Sequence, residues 1–274
     1  MSQQHIEIER IGAVGRITLN RPNARNAQNF QLLDEVDAAF DELEKDHTVH
    51  VIVLAANGPH FSAGHDLREA AAKGDDVSVE DRWIYEESKY LGYCLRMRDC
   101  PKPTIAQVQG ACIAGGFMIA NMCDLIVAAE SAYFCDPVTH SLAVASLEVL
   151  VHPWVLTTRK AKEMLFTGDY LHANDALAAG LVNRVVPDEQ LAAATLALAQ
   201  KVAKASPVAL MLTKRSINRT QDIQGFRSAI DAHFDTHQLS HRTEAYLRVR
   251  RQGVDSVLDE KKRKQAAAAS ASVS

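Results

Sequence analysis

The chain runs to 274 residues and carries 30 basic against 34 acidic side chains, a formal net charge of −4. That length suits one large domain, or a domain with a helical appendage, around a substantial core. The near balance of charge excludes a global positive field for nucleic acid; the start MSQQHIEIER has no basic-then-apolar leader, and no apolar run reaches membrane-spanning length.

The expectation is a cytoplasmic protein with no nucleic-acid or membrane partner. Cys94, Cys100, Cys112, Cys123 and Cys135 show no C-x-x-C spacing and lie largely in apolar runs, so they read as reduced, inert thiols. Ile6 to Arg10 and Arg16 to Leu19 alternate around Gly12 to Gly15 as a hairpin does. From Asn29, the spacing of Leu32, Leu33, Val36, Phe40 and Leu43 predicts a helix. Val49 to Ala55 is nearly all apolar, as a strand covered on both faces is. A polar loop follows from Lys73 to Val79. Ser78-x-x-Asp81 resembles a capping box, and Ile84, Ser88, Leu91 and Leu95 mark a helix that stops before Pro101.

Thr104 to Val108 reads as a buried strand, Ala114-Gly115-Gly116 as a small-residue turn, then a short apolar helix and a second strand from Asp124 to Ala128. Glycines at a strand-to-helix turn let a ligand approach the backbone, and the first helical N–H groups lack partners inside the helix. The upstream stretch FSAGHDLRE, Phe61 to Glu69, has the same character after its own strand. Beyond Phe134 the pattern turns helical: Leu147 to Thr157, a helix opening near Thr158, and another ending at Gly180. A strand follows at Val182 to Val186. Helices cover Glu189 to Lys204 and Pro207 to Asn218, with more from Phe226. The final KQAAAASASVS is low-complexity and reads as disordered.

The blocks ITLNRPNARNA, VIVLAANGPHFSAGHDL, KPTIAQVQGACIAGGFMIANMCDLIVAAESAYF, EMLFTGDYLHANDALAAGLVNRVVP and SPVALMLTKRSIN resemble, in that order, the crotonase superfamily of enoyl-CoA hydratases and isomerases. The resemblance implies an α/β fold: a crotonase-type ββα spiral core over 1–187 and a C-terminal helical trimerisation region over 188–264, with a tail over 265–274. It implies an acyl-CoA thioester as substrate, with coenzyme A part of that substrate, no separate cofactor and no metal. It also implies a homo-oligomer, a trimer or a dimer of trimers.

Two main-chain N–H groups then serve as an oxyanion hole for the thioester carbonyl: by position, those of His65 and Gly115. Ala63, Asp66, Leu67, Met118 and Val138 fall at substrate-facing positions. Arg25 and Arg68 match positions near the nucleotide or phosphates, and Lys261 to Arg263 and Lys264 match a tail that reaches coenzyme A. Two positions depart from the pattern. A hydratase of this family holds its water between two glutamates, and here those positions are Met118 and Val138. Neither moves a proton. The segment CDPVTHSLAVASLEVLVH offers Asp136, His140, Ser146, Glu148 and His152 instead; Asp136, Glu148 and His140 are the candidates for acid–base work. Each has a bland alternative: Asp136 holds a turn before proline, and Glu148 faces solvent from a helix.

Three activities remain open: a hydratase or isomerase with a non-standard acid–base set, other enolate chemistry such as decarboxylation or thioester hydrolysis, and a non-catalytic acyl-CoA binder. His233, His237 and His241 recur every four residues. The third lies ~12 Å along a helix from the first and cannot share its ion, so a wet face or a subunit contact is expected there.

Overall fold

A computed structural model describes residues 4–72 and 77–252. The hairpin of β1 (Ile6–Ile11) and β2 (Val14–Leu19) turns at Gly12, whose φ of +60° suits a residue without Cβ. From β2 onward the sheet is parallel: β3 (Val51–Ala56), β4 (Thr104–Val108), β6 (Leu125–Ala129) and β9 (Arg184–Val186) join in the order β1-β2-β3-β4-β6-β9. A second sheet carries β5 (Ala111–Ile113), β7 (Tyr133–Cys135) and β8 (Leu171–His172) in the order β5-β7-β8. Each of β4 and β6 therefore runs in the large sheet and continues as the next strand of the small one, before a helix returns the chain. This is a mixed α/β fold of repeated strand-strand-helix turns.

The pleat explains the unbroken apolar run of β3. Ile52, Leu54 and Ala56 join the main core with Leu32, Val36, Phe40 and Leu43 of the helix Phe30–Lys45. Val51, Val53 and Ala55 point to the other face, beneath Leu191, Leu198 and Ala199 of the helix Leu191–Val202. The helix Phe30–Lys45 starts on Asn29, whose side chain accepts from the Leu32 N–H, and Ser78 caps Val79–Glu86 by accepting from Asp81. That second helix continues through a π turn, Glu87–Gly92, into Tyr93–Asp99.

The helical C-terminal region comprises Pro207–Ile223, Phe226–Ser240 and Glu244–Gln252. Phe226, Ile230, Phe234 and Tyr246 enter the same core as the strands. Trp83 meets Phe234 edge-on at 5.3 Å, and Trp154 meets Phe226 at 5.2 Å. All five cysteines are buried and free. No helix among the described residues is long and apolar enough to cross a membrane.

One segment departs from its predicted form. Residues 147–151 are not helical; only His152–Val155 forms a short turn of helix. Ala143 and Ser146 both take positive φ, 56° and 60°, and these left-handed residues break the chain before a helix can start. The expected loop around Lys73 and the basic tail lie partly or wholly outside the described residues.

Candidate active site

The two glycine turns interlock. Ser62 bridges to Cys112 and Gln28 bridges to His65, so the FSAGHDL loop is stitched into the sheet on both sides. Gly64 has a φ of +93°, and a Cβ there would stand 2.9 Å from the Ala114 Cβ and 3.0 Å from the Gly115 nitrogen. A Cβ on Gly116 would stand 2.6 Å from the Ser62 carbonyl oxygen. Only glycine permits this approach. Ala114, at φ 50° and ψ −119°, holds the turn in a conformation costly for an L-residue.

Local hydrogen bonding orients the main chain. The Gln28 N–H donates to the Gly64 carbonyl at 2.8 Å, and the Asp66 N–H donates to the Gln28 carbonyl at 3.0 Å. In such a parallel bridge the bonds fall on residues 64 and 66, so the N–H of His65 turns away from Gln28. Gly115 opens the helix Gly115–Ala120, where the first N–H has no partner within the helix.

The side chain of His65 is as constrained as its backbone. Its ring stacks on Tyr90 with centroids 3.9 Å apart. Nε2 lies 3.3 Å from Glu148 Oε2. Nδ1 is buried without a partner, and a Cβ on Gly115 would stand 3.0 Å from it. The Gln28 amide closes the same corner: it is 1% exposed, and neither its oxygen nor its nitrogen has a partner. The side chain at 65 is therefore held in one place by its neighbours.

Glu148 is buried, not solvent-facing, because the segment that carries it is not the predicted helix. Burial disfavours its charge, but His65 and His237 overcome this and hold the carboxyl well below the usual carboxylate range. His237 Nε2 is 3.7 Å from Glu148 Oε1 and 3.6 Å from Glu86 Oε2. His233 and His237 also contact the carbonyls of Leu147 and Ser146, at 2.8 and 3.0 Å. The histidine ladder thus clamps the strained segment that presents Glu148.

Asp136 belongs to a separate, sealed cluster. It accepts from the Ser146 hydroxyl at 2.7 Å and the Val138 N–H at 3.2 Å, and it lies 3.3 Å from His152 Nε2. Burial raises its pKa to about 6 and lowers that of His152 to about 3. His152 stacks on Phe117. His140 is exposed and contacts the Phe166 carbonyl at 2.6 Å, away from both turns.

Met118 is 1% exposed and, with Leu32, Tyr90, Cys94 and Ile119, lines a narrow apolar cavity of about 10 Å³. Val138 is buried at the start of the short helix Val138–Ser141. Around the loop mouth, Arg25 and Arg68 are exposed, the Ala63 N–H donates to the Arg25 carbonyl at 3.0 Å, and Asp66 pairs with Arg21 at 3.0 Å. Leu67 opens the helix Leu67–Ala72. Lys261, Lys262, Arg263 and Lys264 lie outside the described residues.

Glu86, His237 and His241 bring three potential ligand atoms within 4.8 Å of one another, a grouping that spacing along one helix could not show. Both Glu86 oxygens are already engaged: Arg82 at 3.1 Å on one, Gln238 at 2.6 Å on the other. Burial pushes against ionisation of Glu86, yet the His237 contact brings its pKa below the usual value; burial drops His241 to about 4. The Glu86 carboxylate is thus already held by side chains of the protein, while His237 Nε2 and His241 Nδ1 are buried without a hydrogen-bond partner.

The profile of the enoyl-CoA hydratase/isomerase family matches residues 9–264. The chain belongs to that family, and so to the crotonase superfamily. A Mycobacterium tuberculosis protein, provisionally named enoyl-CoA hydratase EchA13, is 42% identical over 257 residues, covering 87% of this chain and 81% of its own length. The human mitochondrial Delta(3,5)-Delta(2,4)-dienoyl-CoA isomerase is 35% identical over 218 residues, covering 75% of this chain and 66% of its own. A crystal structure of a Mycobacterium smegmatis protein, described as a probable enoyl-CoA hydratase, superposes with a TM-score of 0.83 at 47% identity. It covers 87% of this chain and 94% of that one. The hydratase/isomerase family thus includes this chain as an enzyme of its general type.

Proposed function

We propose that this family member binds an acyl-CoA thioester with its carbonyl oxygen between the N–H groups of His65 and Gly115, and stabilises the enolate that forms there. The observation that carries this is the interlock of Gly64 with Ala114 and Gly115, which fixes two main-chain segments against each other with no side chain between. Preorganised N–H donors in a water-poor site stabilise developing negative charge without reorganising. Arg25 and Arg68, exposed on either side of the loop mouth, supply the local positive charge that a coenzyme A polyanion needs.

Met118 and Val138 stand where a hydratase of the family carries its glutamates, and both are buried and apolar. Hydration requires a held water with an acid and a base. Double-bond isomerisation requires one group that moves a proton between two carbons, and it is the activity this site suits better. The exposed apolar side chains Val208, Leu212 and Ile217 on the helix Pro207–Ile223 support a homo-oligomer, a trimer or a dimer of trimers.

The decisive experiment is isotope-edited infrared spectroscopy of crotonyl-CoA labelled with carbon-13 at the carbonyl. The stretch should move to lower frequency on binding, as a polarised carbonyl does. An unshifted band in a bound complex would remove the oxyanion assignment. Gly115→Pro deletes one N–H and also drives Cβ to 2.5 Å from Gln28 Oε1 and 2.8 Å from His65 Cε1, so it should abolish productive binding.

A further inference from the structure

With Met118 and Val138 at the two expected glutamate positions the substrate's proton lacks its usual acceptor, and an imidazole, that of His65, lies beside the Gly115 turn. We infer that His65 takes and returns that proton through Nδ1, with Glu148 as the positioning residue that holds the ring. The inference rests on the thioester reading above and names the group that would make that site reactive.

The ring is fixed on three sides. Tyr90 covers one face at 3.9 Å, Glu148 holds Nε2 at 3.3 Å, and the Gly115 turn and Gln28 bound the Nδ1 edge. An ionised carboxylate only accepts, so Nε2 facing Glu148 carries the hydrogen and Nδ1 of the neutral ring carries the lone pair. That lone pair is buried and unpartnered, and it lies against Gly115, whose N–H is one of the proposed carbonyl donors. Side chain and backbone of one residue therefore converge on one corner: the N–H on the oxygen, the imidazole beside the carbons next to it.

Glu148 is built to stay charged and in place. Its other oxygen faces His237, which in turn faces Glu86, and Arg82 closes that line. The clamp from His233 and His237 to the carbonyls of Leu147 and Ser146 ties the same segment to the helix Phe226–Ser240. Nothing in a purely packing role for His65 calls for an unpartnered Nδ1 or for an unpaired Gln28 amide alongside it.

The chemistry balances without a co-reactant. With a 3-enoyl thioester, Nδ1 removes a proton from C2. The C2–H pair becomes the C1–C2 double bond of a dienolate, and its negative charge rests on the oxygen between the two N–H groups. The imidazolium then gives the proton to C4. The C3–C4 π pair forms the new C–H bond, the C1–C2 pair shifts to C2–C3, and the carbonyl reforms. The product is the conjugated 2-enoyl thioester, and the enzyme returns to its starting state.

The test uses cis-3-hexenoyl-CoA with the full-length protein, following the conjugated thioester by absorbance and isotope transfer from deuterium oxide by mass spectrometry. Affinity is measured in parallel with butyryl-CoA by calorimetry. His65→Asn keeps the main-chain N–H and should lower kcat ~10²–10⁴-fold, the usual contribution of a general base, while butyryl-CoA affinity changes little. Glu148→Gln should lower kcat at least about tenfold with affinity again retained. His65→Ala should recover turnover when imidazole is added to the buffer, which a merely structural histidine would not show. If His65→Asn folds and keeps wild-type kcat, or if the wild type binds butyryl-CoA yet neither isomerises nor exchanges, the role of His65 is overturned. If the wild type binds no coenzyme A thioester at all, the thioester reading itself falls, and this inference with it.

Discussion

The Asp136 carboxyl stands 3.3 Å from His152 Nε2 with both side chains fully enclosed, and burial disfavours the charged form of each. Burial keeps the acid protonated up to about 6 and keeps the imidazole neutral down to about 3. Charge on the aspartate requires a pH above the first value and charge on the histidine a pH below the second. The pair is therefore a close contact inside the core and not a salt bridge, and neither ring nitrogen of His152 has a hydrogen-bond partner.

That relationship gives a signed pH dependence. The folded state holds the Asp136 proton up to about 6, whereas an unfolded aspartate loses it near its ordinary value. Stability from this group is present at low pH and is lost as pH rises through about 6, on the order of 3 kcal/mol over the window. His152 acts oppositely: an unfolded histidine takes up a proton that the buried one refuses, so its contribution grows as pH rises. Asp136→Asn removes the first effect and keeps the second. Urea unfolding at about pH 4.5 and about pH 7.5 should show the variant gaining on the wild type at the higher pH. An offset that does not change with pH would refute the assignment.

Ala143 sits at φ 56° in the segment that carries Glu148. A left-handed conformation costs an L-residue roughly 1–2 kcal/mol, and glycine escapes most of that while paying some unfolded-state entropy. Ala143→Gly should therefore stabilise the protein by about 0.5–1 kcal/mol in urea unfolding. Destabilisation would mean that the alanine methyl makes contacts worth more than the strain.

On the proposed assignment of Met118 and Val138 to the two glutamate positions, crotonyl-CoA hydration should be very slow or undetectable in the wild type. The double variant Met118→Glu with Val138→Glu should raise the hydration rate if it folds. It should also lower the melting temperature, since Met118 is 1% exposed in an apolar cavity and a carboxylate there is costly. Robust wild-type hydration, measured by loss of enoyl absorbance, would contradict the proposed division of labour.

Leu212 is 50% exposed on the helix Pro207–Ile223, near Val208 at 60%. Sedimentation at micromolar concentration should give a trimer or a hexamer, and Leu212→Glu should shift the protein towards smaller species. A stable wild-type monomer would remove the oligomer proposal.

Much of this architecture was open to a reader of the residues, and the physics says which part. The doubly covered strands β3, β4 and β6 announce themselves as short apolar runs, and the two glycine turns follow them at short range. Glu148 was named from the sequence but its burial was not legible, because Leu147 to Thr157 has helical composition, while the left-handed residues just before it lack the glycine that would have signalled a turn. The His65–Glu148 contact joins residues 83 positions apart, and no periodicity reports such a pair. Glu86 likewise joins His237 only because two helices meet across the core.

The five buried thiols have a practical consequence. Burial pushes Cys123 up to about 12 and raises the pKa of Cys94, Cys100 and Cys112, so these four offer no reactive thiolate while their surroundings stay closed, and Cys135 is buried with them. Cys112 and Cys135 lie on the small sheet, Cys94 and Cys100 at the helix Tyr93–Asp99, and Cys123 beyond the helix Gly115–Ala120. Alkylation followed by peptide mapping would thus time the opening of each layer separately, with native sequence as the only reporter: thiols that label together share one opening event, and any that label early mark the layer that loosens first.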